Sequence, residues 1–178
     1  MKNCVLLKNR FDVSAANIAD ASFNRTFARR QRYNRDLDEK YTAIPINTLS
    51  LPKSVTDDLL RQLPQSVLEI EIPQVLILTM EASDAPLPTL AAHVDLNRSC
   101  GINIYLETSG EKTHYYDWDQ ETQTMVETEH FVAESGDCWL IDTQVPHSVS
   151  LVTGKKRSML TYSFVSAPYN RIKEAICE

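Results

Sequence analysis

The chain has 178 residues, 43% of them hydrophobic, with a net charge of −6 and a pI of about 5.2. That length and apolar content suffice for one domain with a real core, and only four glycines with no low-complexity tract exclude global disorder. The acidic balance weighs against a dedicated nucleic-acid binder, whose footprint is a basic field.

In chain order, Val5, Leu6 and Leu7 predict a short strand. Residues 14–33 predict a helix opened by Ser14, with Ile18, Ala21, Phe27 and Ala28 along one face. Arg25, Arg29, Arg30, Arg32 and Arg35 make its far end basic, either a solvated face or a wall for an acidic substrate or partner. Pro45 and Pro52 break the chain, and Ser54-Val55-Thr56-Asp57 reads as a capping-box start for a helix that Pro64 stops. SVLEIEI, residues 66–72, alternates as a half-buried strand does, and VLILTM, residues 75–80, reads as a buried strand. DAPLP, residues 84–88, is a loop that leads to His93.

From residue 90 onward the signals are β. GINIYLE, KTHYYDWD, QTMVETEHF, CWLID, HSVSLV and RSMLTYSF are alternating or rich in β-branched and aromatic residues, with turns at 108–111, 119–122, 135–137 and 153–156. That rhythm predicts a sandwich or jelly roll, and a short helix from near Tyr169 closes the tail. The whole of 1–178 reads as a single domain: 1–72 as a helical or mixed support, 73–166 as the β core and 167–178 as the tail. Cys4, Cys100, Cys138 and Cys177 form no C-x-x-C pair, so neither a zinc ribbon nor a disulfide framework is predicted. MKNCVLLKNRFD predicts no signal peptide and no apolar run is long enough for a bilayer, so the expected setting is the reducing cytoplasm, with no membrane partner.

The chemistry concentrates between His93 and Arg157. Residues two apart in a strand point the same way, so His93 and Asp95 of His93-Val94-Asp95 can reach one ion from one strand edge. His147, in VPHSV, has to arrive from another strand. Two imidazoles and one carboxylate occupy one face of an octahedral ion and leave three positions open. Arg157, ten residues after His147, begins a strand face that continues through Met159, Thr161 and Ser163. His114 and His130 lie in polar, exposed strands and are expected to have no part in the site.

This ordered set, carried by AAHVDLNRSCGINIYL, GDCWLIDTQVPHSV and KKRSMLTYSF, resembles the Fe(II)/2-oxoglutarate-dependent dioxygenase superfamily over roughly residues 75–165. The resemblance implies a mainly β fold, a double-stranded β-helix (jelly roll, cupin-like) with N-terminal helices packed outside. It implies Fe(II) on His93, Asp95 and His147, and an oxidoreductase that uses 2-oxoglutarate and molecular oxygen and releases succinate and carbon dioxide. Arg157 would meet the far carboxylate of 2-oxoglutarate with a bidentate guanidinium. Met159 stands where many members carry Ser, so a hydroxyl contribution is expected from Thr161 or Tyr105. Asn103 and Tyr105 share a strand face and are candidates to bond the oxo acid or a metal-bound water, with Thr113 and Tyr115 beside them. Tyr105 is equally readable as a packing aromatic. Arg98 could pair with Asp95 or meet a substrate carboxylate, and Tyr115 is a second substrate-side candidate. The expected prime substrate is a small molecule or a peptide side chain. The alternative is a non-catalytic cupin-like protein that binds a ligand or another metal, and nothing in the sequence speaks to oligomeric state.

Overall fold

The computed structural model describes residues 2–7, 11–12, 46–81, 89–150, 152 and 154–177. The helix expected at 14–33, its Arg25 to Arg35 cluster and the loop at 84–88 lie outside the described residues. In chain order the described elements are β1 (Cys4–Leu6), β2 (Ile46–Ser50), α1 (Lys53–Leu60), α2 (Gln65–Leu68), β3 (Gln74–Glu81), β4 (Thr89–His93) and β5 (Cys100–Glu107). They continue as β6 (Lys112–Asp119), β7 (Thr124–Val132), β8 (Cys138–Asp142), β9 (His147–Ser150), β10 (Lys156–Phe164) and α3 (Tyr169–Cys177). Two antiparallel sheets result, one of six strands in the order β1-β8-β5-β10-β3-β2 and one of four in the order β4-β9-β6-β7. Gly110 and Gly136 take positive φ values of 82° and 92° in the turns before β6 and β8, a conformation that glycine reaches without a Cβ clash.

Strand alternation assigns the two faces of the larger sheet different tasks. Ile102, Ile104, Leu140, Leu160 and Phe164 point outward and pack under the helices against Leu59, Val67, Ile172 and Ile176. Tyr105, Trp139, Ile141 and Met159 point inward and meet Tyr115, Phe131 and Val149 of the smaller sheet. The sheet is thus covered on both sides, which is why VLILTM is continuously apolar and why β10 is buried from Arg157 through Phe164. Each fully buried aliphatic side chain here contributes about 1.5–3 kcal/mol by leaving water. Helices packed outside a double β layer agree with the expected architecture. Among the described residues, no helix is long and apolar enough to cross a membrane.

Two local expectations are corrected. SVLEIEI is not a strand: α2 begins after Pro64, buries Val67, and brings Leu68 and Ile70 onto the same core. The turn that follows places the Glu71 carboxylate where it accepts hydrogen bonds from the amides of Val165, Ser166 and Ala167 and from the Ser166 hydroxyl. Burial alone would raise the Glu71 pKa, but these bonds outweigh it and hold the carboxyl below its usual range. Helical spacing there serves the helix-side core and the end of β10 at once, so tertiary contacts override the period-two pattern. The predicted capping box at Ser54 is also absent. Pro52 is the N-cap of α1 with no side-chain cap bond, and Asp57 pairs with Lys53 at 2.7 Å instead.

Candidate metal centre

The site is built on one strand pairing. β4 and β9 run antiparallel with His93 opposite His147, and the register shifts between Leu90 and His93. Such an irregularity re-aims side chains next to functional sites. The two imidazole rings stand 4.5 Å apart between centroids. Asp95 lies two residues past His93, beyond the strand end, where its amide donates to the carbonyl of Thr143 at 2.9 Å. Its Oδ1 is 3.4 Å from His93 Nε2 and 3.9 Å from His147 Nε2. The three groups each offer a ligand atom, all within 4.8 Å of one another. Ligand atoms ~2.1 Å from a shared ion and at right angles to each other would stand ~3 Å apart, so a cation would draw these side chains together.

The protonation states suit a metal. His147 Nδ1 meets the carbonyl oxygen of Val145 at 2.9 Å, which places the ring proton there and leaves Nε2 as the electron-pair donor. Burial, with His93 adding to it, lowers the His147 pKa to about 4, so the ring is neutral at neutral pH. Burial alone would raise the Asp95 pKa. Arg98 and the two imidazoles outweigh it and hold the carboxyl well below the usual carboxylate range. Two imidazoles and one carboxylate on one side of a cavity are the donor set of a non-haem iron facial triad, so a metal cofactor fits the residues present.

Arg98 takes the first of its two expected roles. Its Nε donates to Asp95 Oδ2 at 2.8 Å, its Nη2 lies 2.7 Å from the same oxygen, and its Nη1 donates to Thr161 Oγ1 at 3.4 Å. The segment is pinned from behind: Thr143 Oγ1 donates to the carbonyl of Arg98 at 2.7 Å, and the Gln144 amide donates to the carbonyls of Asp95 and Arg98. Thr161 donates its hydroxyl to Asn103 Oδ1 at 2.6 Å.

Arg157 is only 3% exposed. It does not present the bidentate fork that the sequence suggested. Nη2 is committed to Tyr105 Oη at 2.9 Å and Thr113 Oγ1 at 3.2 Å, and the guanidinium carbon lies 5.1 Å from the Tyr105 ring centre. Nε faces Glu111 Oε1 at 3.4 Å, and Glu111 is itself 5% exposed and held by the amide of Ser109. Nη1 and Nε of Arg157 and Oε1 of Glu111 have no hydrogen-bond partner among the described residues. Glu111 is the site residue that sequence reasoning missed. It belongs to the turn Thr108-Ser109-Gly110-Glu111, and nothing in a turn sequence marks a carboxylate as buried.

A cavity of about 430 Å³ between the sheets joins these groups. His93, Asp95, His147 and Arg98 line one part, Thr113 and Arg157 another, with Asn103 and Thr161 also on its wall. Leu76, Leu78 and Met80 of β3 line it with aliphatic surface.

No family model matches the chain, and no curated protein matches it. Solved structures do. A 2OG-Fe(II) oxygenase family oxidoreductase from Burkholderia pseudomallei superposes with a TM-score of 0.52 at 16% identity, over 96% of this chain and 88% of that one. The chain is a cupin-like double-stranded β-helix. Looser matches are a cupin superfamily protein from Desulfitobacterium hafniense DCB-2, at TM-score 0.38 and 9% identity over 68% of this chain and 78% of that one. Another is the 7S globulin of Momordica charantia, at 0.42 and 8% over 68% of this chain and 30% of the globulin. At such identities the likeness is one of fold alone.

Within this β-helix, the remaining candidates fall outside the cavity wall. Tyr105 is buried beside Arg157 and supplies its hydroxyl to the guanidinium. Tyr115 is not among the cavity-lining residues; it packs in the inter-sheet core with its ring 6.1 Å from that of His147. β6 pairs with β9 so that Tyr115 stands directly opposite His147 in the ladder, its side chain in the inter-sheet core, and burial raises its pKa well above the usual value. His114 and His130 share the Glu127 carboxylate at 2.8 Å each and stand apart from the His93–Asp95–His147 group.

Proposed function

We propose that the chain is a non-haem Fe(II)- and 2-oxoglutarate-dependent oxygenase that hydroxylates a small molecule or a peptide side chain, with release of succinate and carbon dioxide. The observation that carries this reading is the convergence of His93 Nε2, His147 Nε2 and Asp95 Oδ1 on the wall of a cavity also lined by a buried arginine. The oxygenase-family superposition over 96% of the chain supports the fold that the reading requires.

His93, Asp95 and His147 would hold the ion. Bound Fe(II), with 2-oxoglutarate and molecular oxygen, supplies the oxidation of a C–H bond. The protein's part is positioning and exclusion of water. Arg157 would hold the far carboxylate through Nη1. Tyr105 and Thr113 accept from Nη2 and orient the guanidinium, and the hydroxyl proton of Thr113, which lines the cavity, remains available to the same carboxylate. Thr161 and Asn103 would flank the oxo acid between the ion and Arg157. Charge balance favours a doubly negative ligand. Arg98 is matched by Asp95 and Arg157 by Glu111, so a dication in this low-dielectric space calls for a dianion. The aliphatic wall of Leu76, Leu78 and Met80 keeps the space dry. We read all of 1–178 as one domain acting in the cytoplasm, where Cys4, Cys100, Cys138 and Cys177 stay reduced thiols.

The test is succinate release by purified protein given Fe(II), ascorbate and 2-oxoglutarate, first without a prime substrate. Slow release that needs both Fe(II) and His147 supports the reading; release unchanged in His147→Ala overturns it. One observation favours a second reading, a cupin-like binding protein without catalysis. Arg157 already has a carboxylate beside it in Glu111, so its charge is met without any ligand. An anaerobic metal titration separates the two: Fe(II) binding that is indifferent to 2-oxoglutarate, or no binding, selects the second.

A further inference from the structure

We infer that Arg98 is a positioning residue that keeps Asp95 a one-oxygen ligand, and so sets how many coordination positions the ion leaves open. The inference rests on the metal site proposed above.

A carboxylate binds a cation through one oxygen or through both. On a six-coordinate ion the difference decides the chemistry. With Asp95 bound through Oδ1 alone, three positions remain. With both oxygens bound, two remain, and a chelating oxo acid fills them and leaves none for a further ligand. Arg98 acts on the other oxygen. Both Nε and Nη2 converge on Oδ2, at 2.8 and 2.7 Å, while Oδ1 faces the two imidazole Nε2 atoms. Oδ2 therefore carries a charge-assisted hydrogen bond and a second close guanidinium contact that binding to the ion would have to break.

The guanidinium is itself held in place. Nη1 contacts Thr161 Oγ1, and the backbone of Arg98 is tied by Thr143 and Gln144. Gly101 provides the space, because a Cβ there would come within 3.1 Å of Arg98 Nη1. A lysine would keep the charge and lose the planar fork that reaches Oδ2 from two nitrogens and Thr161 from a third. The simpler role for Arg98 is to neutralise a part-buried carboxylate. Neutralisation affects how tightly an ion binds; it does not fix how many positions stay open.

Counting water on the ion separates the two roles. Mn(II)-loaded protein, without oxo acid, is measured by water-proton relaxation. The expected result is about three exchangeable waters in the wild type and about two in Arg98→Ala, with Arg98→Lys between them. Gly101→Ala leaves every charge in place, crowds Nη1, and should lower the count in the same direction. These last two variants carry the test if Arg98→Ala does not fold. A wild-type water count in the variants, with only the Mn(II) affinity changed, overturns the positioning role and leaves Arg98 a counter-charge. A wild type that binds no Mn(II) and no Fe(II) overturns the positioning role together with the metal site beneath it.

Discussion

His93 and His147 face each other across the β4–β9 pairing, so two residues far apart in sequence share one rung of one ladder. A single strand pairing therefore sets the spacing of both imidazoles, and Asp95 needs only a two-residue overhang to complete the group. Removing one imidazole leaves two ligands and no facial set. In His147→Ala, Fe(II) affinity should fall by more than the ~10–100-fold that outer-shell changes cost, and succinate release should drop to background. Anaerobic calorimetry and product analysis check both. Retained Fe(II) binding with wild-type turnover would sink the assignment.

The same imidazole makes stability depend on pH in a defined direction. Burial depresses the His147 pKa from 6.5 to about 4, so between those values the unfolded chain binds a proton that the folded chain does not. Stability should rise with pH across that window and be lost progressively as pH falls from about 6.5 towards 4. Asp95 extends the loss to lower pH, because its folded pKa also lies below the unfolded one and its contribution disappears as the carboxylate is protonated. Thermal melts of metal-free protein at stepped pH values should show a lower Tm at pH 4.5 than at pH 7. His147→Gln should flatten the upper part of that slope. A slope unchanged in the variant would assign the proton uptake elsewhere.

Arg157 and Glu111 are both nearly inaccessible, so neither can lose its partner cheaply. Arg157→Met should destabilise the fold by about 3–5 kcal/mol by stranding a buried carboxylate, and should raise the KM for 2-oxoglutarate at least ~10-fold. The double variant with Glu111→Gln should recover most of the stability and none of the oxo-acid affinity. Denaturant unfolding and steady-state kinetics on the three variants distinguish these effects. Recovery of affinity in the double variant would show that Arg157 is not the anchor.

On the opposite side of the larger sheet, Tyr162 Oη donates to the carbonyl of Leu59 at 3.0 Å in α1. Tyr162→Phe should cost about 1 kcal/mol and leave Fe(II) binding untouched, because the ring lies in the helix-side core and does not line the cavity. A Tm shift without a change in metal titration is the expected outcome. A large loss of metal binding would mean that the two faces of the sheet are coupled more tightly than their separate packing implies.

Most of the fold was legible because its strands alternate. GINIYLE places Ile102 and Ile104 on one face and Asn103 and Tyr105 on the other, and the structure keeps that division. His93, Asp95 and His147 were legible as residue types at a spacing, and the fold brings them together. What escaped depends on contacts between distant segments. Glu111 looks like an ordinary turn residue until Arg157 is folded against it. Tyr115 reads like any β aromatic, and only the β6–β9 pairing sets it against His147 in the inter-sheet core and off the cavity wall. SVLEIEI carries a strand pattern, yet Glu71 is needed to cap the amides that follow β10, and a helical turn delivers it there.

β10 serves two masters in strict alternation. Arg157, Met159, Thr161 and Ser163 look into the cavity, while Leu160, Tyr162 and Phe164 root the strand beneath the helices. Losing or gaining a single codon within this segment would swing the guanidinium into the oily foundation and push a leucine towards the reactive space. Point changes on one side can drift independently of the other, but the strand's length is frozen, and insertions there should be as damaging as removal of a ligand.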